Sequence, residues 1–165
     1  MWMSLRTKYS EKEIRNLSKE QYMREATYHD MVMSYGVSFR VAYLARESTK
    51  HVDQIKALKI QIQILEEFID SKTHFILPDD NKFIEEGKSG LSKEYREKFQ
   101  FMIEAAARKK FDILVVDAVS RLARNVGELF TCIDTLKKYG VGILILKGEY
   151  WTFNMDYNDI IINKF

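Results

Sequence analysis

VSFRVAYLAREST, residues 37–49, is the stretch that decides how this chain folds. Phe39, Val41, Ala42, Tyr43, Leu44 and Ala45 make a nearly unbroken apolar run rich in β-branched and aromatic side chains. Such a run reads as a strand buried on both faces. Two more runs have the same character: FDILVV at 111–116 and VGILIL at 141–146. Between them the apolar spacing changes to a helical period. Ile55, Leu58, Ile62, Leu65 and Ile69 form one row over roughly 53–71, and Ala57, Ile60, Ile64 and Phe68 a second. Together they make a broad apolar arc suited to a helix lying on a sheet. Tyr95, Phe99, Met102, Ile103 and Ala106 mark another helix, which Ser92 is placed to cap. A third begins at Asn125, with Glu128 in its first turn, and ends at Gly140. HFILPDDNKFIEE, residues 74–86, supplies one or two short strands broken at Pro78. Strands alternating with helices, the strands continuously apolar, predict an α/β fold: a three-layer domain with a mainly parallel central sheet flanked by helices.

The flanks read differently. Residues 1–36 are a charged prelude with capping-box spacing at Ser10/Glu13 and Ser18/Gln21. They predict one or two short helices ending at Gly36, a solvated N-terminal extension, or alternatively a DNA or subunit contact. Residues 37–152 form the main domain. From 153 to 165 a new element starts near Asp156–Asn158, and Ile160, Ile161, Ile162 and Phe165 read as the first turns of a longer apolar helix.

Composition narrows the chemistry. The chain has 165 residues, 46% of them hydrophobic and 30% charged, with net charge +2. One domain with a real core is expected. A wholesale basic coat for nucleic acid is absent, so any anion site depends on local placement. The single cysteine, Cys132, rules out an internal disulfide and reads as a small core residue in a reducing, cytoplasmic setting. His29, His51 and His74 lack ligand spacing, so no metal site is expected. No apolar run is long enough to span a membrane. The phosphate-cradling and dinucleotide glycine motifs are missing, as is the G-x-S-x-G elbow.

What remains is a set of arginines at strand ends. Arg46 precedes Ser48 by two residues just past the first strand, where α/β proteins place their sites. Arg121 and Arg124 follow FDILVV and offer planar forked donors that match phosphate oxygens. Gln61 falls within the apolar arc, either as a core amide bonded to backbone or as a residue that orients the loop after Ser48. Arg96 stands early in a helix behind a loop with Gly87 and Gly90. Read singly, each has an ordinary structural explanation: a helix-capping serine, a surface arginine pair, turn glycines.

Their order is more telling. AYLAREST, KIQIQIL, EEGKSG, EYREKF and FDILVVDAVSRLARN, in that sequence, resemble the serine recombinases, the family of resolvases, invertases and large integrases. The similarity runs from about Val37 to Thr152. It implies Ser48 as nucleophile, with Arg46, Arg121 and Arg124 around the scissile phosphate. Arg96 matches the arginine after the mobile loop, and Gln61 a helix glutamine near the site. Glu86, Ser89 and Gly90, with Lys88, match an acid–serine–glycine loop that meets DNA. It further implies site-specific recombination through a 5′-phosphoserine intermediate, without cofactor or metal. The implied partners are double-stranded DNA and further copies of the chain, a homodimer assembling to a tetramer. GEYWTFNMDYND resembles the passage into the family's long dimerisation helix. Two positions depart from the pattern: Leu44 stands where a tyrosine is usual, with Tyr43 one step earlier, and Ser120 where small resolvases carry aspartate. The alternatives are a non-cutting fragment that only associates with DNA or subunits, and an α/β module that binds a nucleotide or another anion.

Overall fold

The computed structural model describes residues 3–47, 52–86 and 97–164, with side chains as far as Ile161. Four short helices come first: α1 (Leu5–Lys8), α2 (Glu11–Asn16), α3 (Lys19–Glu25) and α4 (Tyr28–Val32). Then follow β1 (Phe39–Arg46), α5 (Val52–Asp70), β2 (Phe75–Ile76), β3 (Lys82–Glu85), α6 (Glu97–Ala107) and β4 (Ile113–Val116). The chain continues through α7 (Val126–Lys138), β5 (Gly142–Ile145), β6 (Tyr150–Trp151) and α8 (Tyr157–Lys164). No helix among the described residues is long and apolar enough to cross a membrane.

β1 is central. It pairs in parallel with β4, which pairs in parallel with β5, and β6 closes that side antiparallel. On the other edge β2 and β3 share β1 between them: Phe39 and Arg40 face Phe75 and Ile76, and Tyr43 to Arg46 face Lys82 to Glu85. They are two halves of one edge strand, interrupted because Pro78 has no N–H to give the ladder. A 3-10 turn, Asp79–Asn81, fills the interruption. The buried Asn81 amide there donates to the Val41 and Lys110 carbonyls, 3.2 Å each. The mostly parallel sheet between helical layers agrees with the sequence reading.

The two faces of β1 divide the core. Ala42 and Leu44 pack with Met102, Ala106, Leu129, Ile133 and Leu136 of α6 and α7. Phe39, Val41, Tyr43 and Ala45 pack with Leu58, Leu65 and Ile69 of α5. Alternation along the strand thus feeds two separate clusters.

Two expectations need correction. Described residues 3–36 form four helices, not one or two, and they are not a solvated arm. Leu5, Ile14, Tyr22, Met23 and Met31 are buried in the same cluster as α5 and complete that layer. The broad arc on α5 is also not covered. Only Leu58, Gln61, Leu65 and Ile69 are buried, whereas Ile55, Ile60 and Ile64 are about half exposed. The last helix docks on the other side of the sheet. Ile160 is fully buried against the α6–α7 cluster, and Tyr157 stacks on Phe130 at 4.8 Å.

Trp151 rivets the N-terminal layer to the sheet. Its indole N–H donates to the Met23 carbonyl at 2.8 Å, and Asn154 donates to the Ala26 carbonyl. The ring lies against Gly142, where any Cβ would overlap it. A glycine in β5 is therefore what lets the indole in.

Candidate active site at the carboxyl ends of β1 and β4

From β1 the chain returns to the edge formed by β2 and β3, and only then crosses to β4 on the opposite side. The strand order reverses between β1 and β4. In open α/β sheets a crevice forms beyond the carboxyl ends at that point. Arg46 ends β1, and Arg121 sits on the turn that follows β4. The sheet topology alone brings them together.

The backbone of Arg46 is held on three sides. Its N–H donates to the Gln61 side-chain oxygen at 2.8 Å, and the Gln61 amide donates back to its carbonyl at 3.1 Å. Arg121 Nη1 donates to the same carbonyl, also at 3.1 Å. Gln61 is 3% exposed and bonded to backbone, as the first of its two readings has it; the loop after Ser48, which the second has it orient, lies outside the described residues. The Arg46 side chain lies 3.7 Å through Nε from Glu85, its register partner on β3. The buried Glu85 also accepts the Phe99 N–H at 3.0 Å, which ties the start of α6 to the same corner.

Arg121 is as firmly placed. Its Nε and Nη2 donate to the two carboxylate oxygens of Asp117 at 2.9 and 3.1 Å. Glu47 lies 3.4 Å from Nη1. Arg124 is the contrast. It is exposed, its N–H is taken by Glu128 at 3.0 Å, and its guanidinium bonds to none of the described residues. Asn125 caps α7 immediately after, accepting the Glu128 N–H at 2.9 Å. Glu86 is exposed just past β3. Ser48, Lys88, Ser89, Gly90 and Arg96 lie outside the described residues.

The sequence reading missed the carboxylates. Asp117 stands four residues before Arg121, a spacing that favours ion pairs and was legible. Glu85 meets Arg46 only through strand register, which the sequence does not announce. Of the two departures, Tyr43 does not replace a tyrosine at Leu44. Tyr43 faces the α5 layer and its hydroxyl donates to Glu66 at 2.7 Å, while Leu44 is buried against α6 and α7. Burial pushes the Tyr43 hydroxyl well above its ordinary value, and the neighbouring carboxylate pushes it further. Ser120 is exposed, and the acid beside Arg121 is Asp117 instead.

The fold and this crevice define a class: a three-layer α/β domain that gathers arginines where β1 and β4 diverge. The chain belongs to the resolvase N-terminal domain family, the catalytic domain of serine recombinases; the family model described as "Resolvase, N terminal domain" matches residues 41–163, well over half of the chain. The matched region begins within β1, so α1–α4 precede it.

Solved structures share the fold. A resolvase family site-specific recombinase from Streptococcus pneumoniae superposes with TM-score 0.63 at 22% identity, covering 76% of this chain and 83% of that one. The N-terminal catalytic domain of TP901-1 integrase gives 0.58 at 22% identity, covering 74% and 88%. The C-terminal catalytic domain of ISC1926 TnpA, an IS607-like serine recombinase, gives 0.55 at 20% identity, covering 65% and 70%. No curated protein matched the sequence.

Proposed function

We propose that this domain is an enzyme of site-specific DNA recombination, cutting and rejoining double-stranded DNA with Ser48 as nucleophile. One observation carries the reading: a backbone clamped at Arg46, two residues before Ser48, beside a second fixed guanidinium at Arg121.

Ser48 Oγ attacks a backbone phosphorus, and the bond from phosphorus to the 3′ oxygen breaks. The serine loses a proton and the departing 3′ oxygen gains one. The 5′ phosphate remains esterified to Ser48, so its bond energy is kept, and a 3′ hydroxyl reverses the step without ATP. Negative charge grows on the phosphoryl oxygens in the transition state. Guanidinium groups already in place stabilise that charge with little reorganisation, and no cofactor or metal enters this scheme. Arg46, Arg121 and Arg124 serve here, with Arg96 joining them. Gln61 fixes the Arg46 backbone, and Glu86, Lys88, Ser89 and Gly90 form the loop that meets DNA. Cutting both strands of two sites requires four serines, hence a homodimer that assembles to a tetramer.

A small donor tests the chemistry without a target site. Thymidine 5′-(p-nitrophenyl phosphate) carries a good leaving group where DNA has its 3′ oxygen. Wild type is expected to gain the mass of one thymidylyl group on Ser48 and release p-nitrophenolate. Ser48→Ala is expected to gain none while keeping its fold, at a cost well under ~1 kcal/mol. Fused to a DNA-targeting domain, wild type is expected to stay on the 5′ end of the cut. An adduct of equal yield in Ser48→Ala refutes the assignment.

A further inference from the structure

Arg121 is gripped two-pronged along one edge and more loosely at Nη1. A guanidinium has five N–H groups. Asp117 takes the one on Nε and one on Nη2, at 2.9 and 3.1 Å, and the Arg46 carbonyl takes one on Nη1 at 3.1 Å. The second Nη1 N–H meets Glu47 Oε1 at a long 3.4 Å, and by count one N–H remains, on Nη2. The outer end of the guanidinium, where arginine takes a phosphoryl group, thus holds one unengaged donor and one weakly engaged one.

We propose that Asp117 is the positioning residue for Arg121, gripping one edge of its guanidinium so that the outer end, led by the unengaged Nη2 N–H, faces the phosphate. The proposal rests on the reading of the crevice as a phosphodiester site. Asp117 does not touch the substrate. It acts by fixing a long side chain that would otherwise sample several rotamers, so that the donors need no rearrangement as charge develops. The grip is two-pronged and charge-assisted, and both side chains are about one-fifth exposed, so solvent screens it incompletely. The 3-10 turn Val119–Arg121 makes the contact local: it folds Arg121 back over the end of β4, where Asp117 begins the connection.

The test is a double-mutant cycle on thymidylyl transfer from the p-nitrophenyl donor, with limiting rate and half-saturating donor concentration measured separately. Asp117→Ala is expected to lower the limiting rate about tenfold to a hundredfold, the range for a sub-ångström to ångström misplacement, with little change in half-saturation. Asp117→Asn keeps one acceptor and is expected to fall between Ala and wild type. In an Arg121→Ala background, Asp117→Ala is expected to have no further effect. Equal losses in both backgrounds, or no loss in the first, overturn the proposal. The second readout is independent of chemistry. The Nε–Hε resonance of Arg121, identified by its absence in Arg121→Lys, is expected to exchange slowly with water in wild type and to vanish in Asp117→Ala and Asp117→Asn with backbone amides unmoved. A resonance unchanged in both variants overturns it. If wild type forms no adduct at all, the reading of the crevice fails, and the resonance alone decides whether Asp117 holds Arg121.

Discussion

Arg121 and Arg124 are three residues apart yet stand in opposite conditions. Arg121 is enclosed by Asp117, Glu47 and the Arg46 carbonyl, whereas Arg124 is exposed with an unengaged guanidinium among the described residues. Lysine at either position keeps the charge and loses the fork. Each substitution is expected to slow thymidylyl transfer by roughly two to three orders of magnitude, as for loss of one transition-state donor. Single-turnover rates check this, and near-normal transfer by Arg124→Lys demotes that arginine to a bystander. Arg121→Lys also leaves Asp117 with a single-point partner, so its unfolding midpoint should fall as well, whereas that of Arg124→Lys should not. Gln61 poses the matching question for neutral groups. Gln61→Leu keeps the volume but strands the Arg46 N–H, so a loss of about 1–3 kcal/mol is expected by urea unfolding. A change within about 0.5 kcal/mol means that water or another acceptor replaces the amide. The arginines were legible in the sequence because they follow apolar runs. Their carboxylate partners were less so, because Glu85 reaches Arg46 through a register that only the folded sheet defines.

At the scale of elements, α1–α4 taught the most. Their caps were readable: Ser10 with Glu13 forms a full capping box and Ser18 accepts from Gln21. Their docking was not, because each short helix supplies only one or two core residues. Leu5, Ile14, Tyr22 and Met31 never repeat at a helical period long enough to announce a buried face. What organises them is Asp30, 1% exposed, which accepts from the Leu5 and Thr27 N–H groups and from the Ser4 and Tyr35 hydroxyls. Burial alone would raise its pKa. The bonds from Thr27, Leu5 and Ser4 outweigh that, and the carboxyl is held below its ordinary 3.8. His74 ties the layer to β2, donating through Nε2 to the Met31 carbonyl at 2.8 Å, and burial holds its pKa below 6.5. In both cases the unfolded chain binds the proton more readily than the fold does. Stability is therefore fully present at neutral pH and lost on acidification. Loss should begin as pH falls below 6.5 through His74 and grow again below 3.8 through Asp30. Asp30→Asn is expected to cost about 1–3 kcal/mol at pH 7, since an amide cannot accept all four bonds. It should also shrink the lower step of a plot of unfolding midpoint against pH, to which Glu13, Glu25 and Glu66 contribute as well. A midpoint unchanged at neutral pH would mean that the apolar contacts alone seat the layer.

At the scale of the whole molecule, the cations of one basic segment fall at opposite ends of the sheet. Segment 88–124 carries Lys88, Lys93, Arg96, Lys98, Arg108, Lys109, Lys110, Arg121 and Arg124 against five acids, Glu94, Glu97, Glu104, Asp112 and Asp117. In sequence that reads as one modest basic patch. In the fold, Arg108, Lys109 and Lys110 follow α6 and precede β4, so they lie at the amino end of a sheet whose carboxyl end holds Arg121 and Arg124. A duplex seated in the crevice cannot use them. Non-specific affinity for DNA comes from neutralised phosphates, and the four arginines and one lysine proposed at the crevice give a slope of roughly −4 to −5 in log affinity against log salt. Base readout requires an element that enters a groove, and each helix among the described residues spends one face on the sheet or its covering layer. This chain is therefore expected to bind duplex DNA weakly and without sequence preference, and to lose that binding steeply with salt. Replacing Arg108, Lys109 and Lys110 together by glutamine should leave the slope unchanged, whereas Arg124→Gln should reduce it by about one. Fluorescence anisotropy with one duplex and its scrambled control, across a salt series, checks all three statements. Tight retention of a single sequence at physiological salt would overturn them and turn attention to the exposed faces of α1–α4.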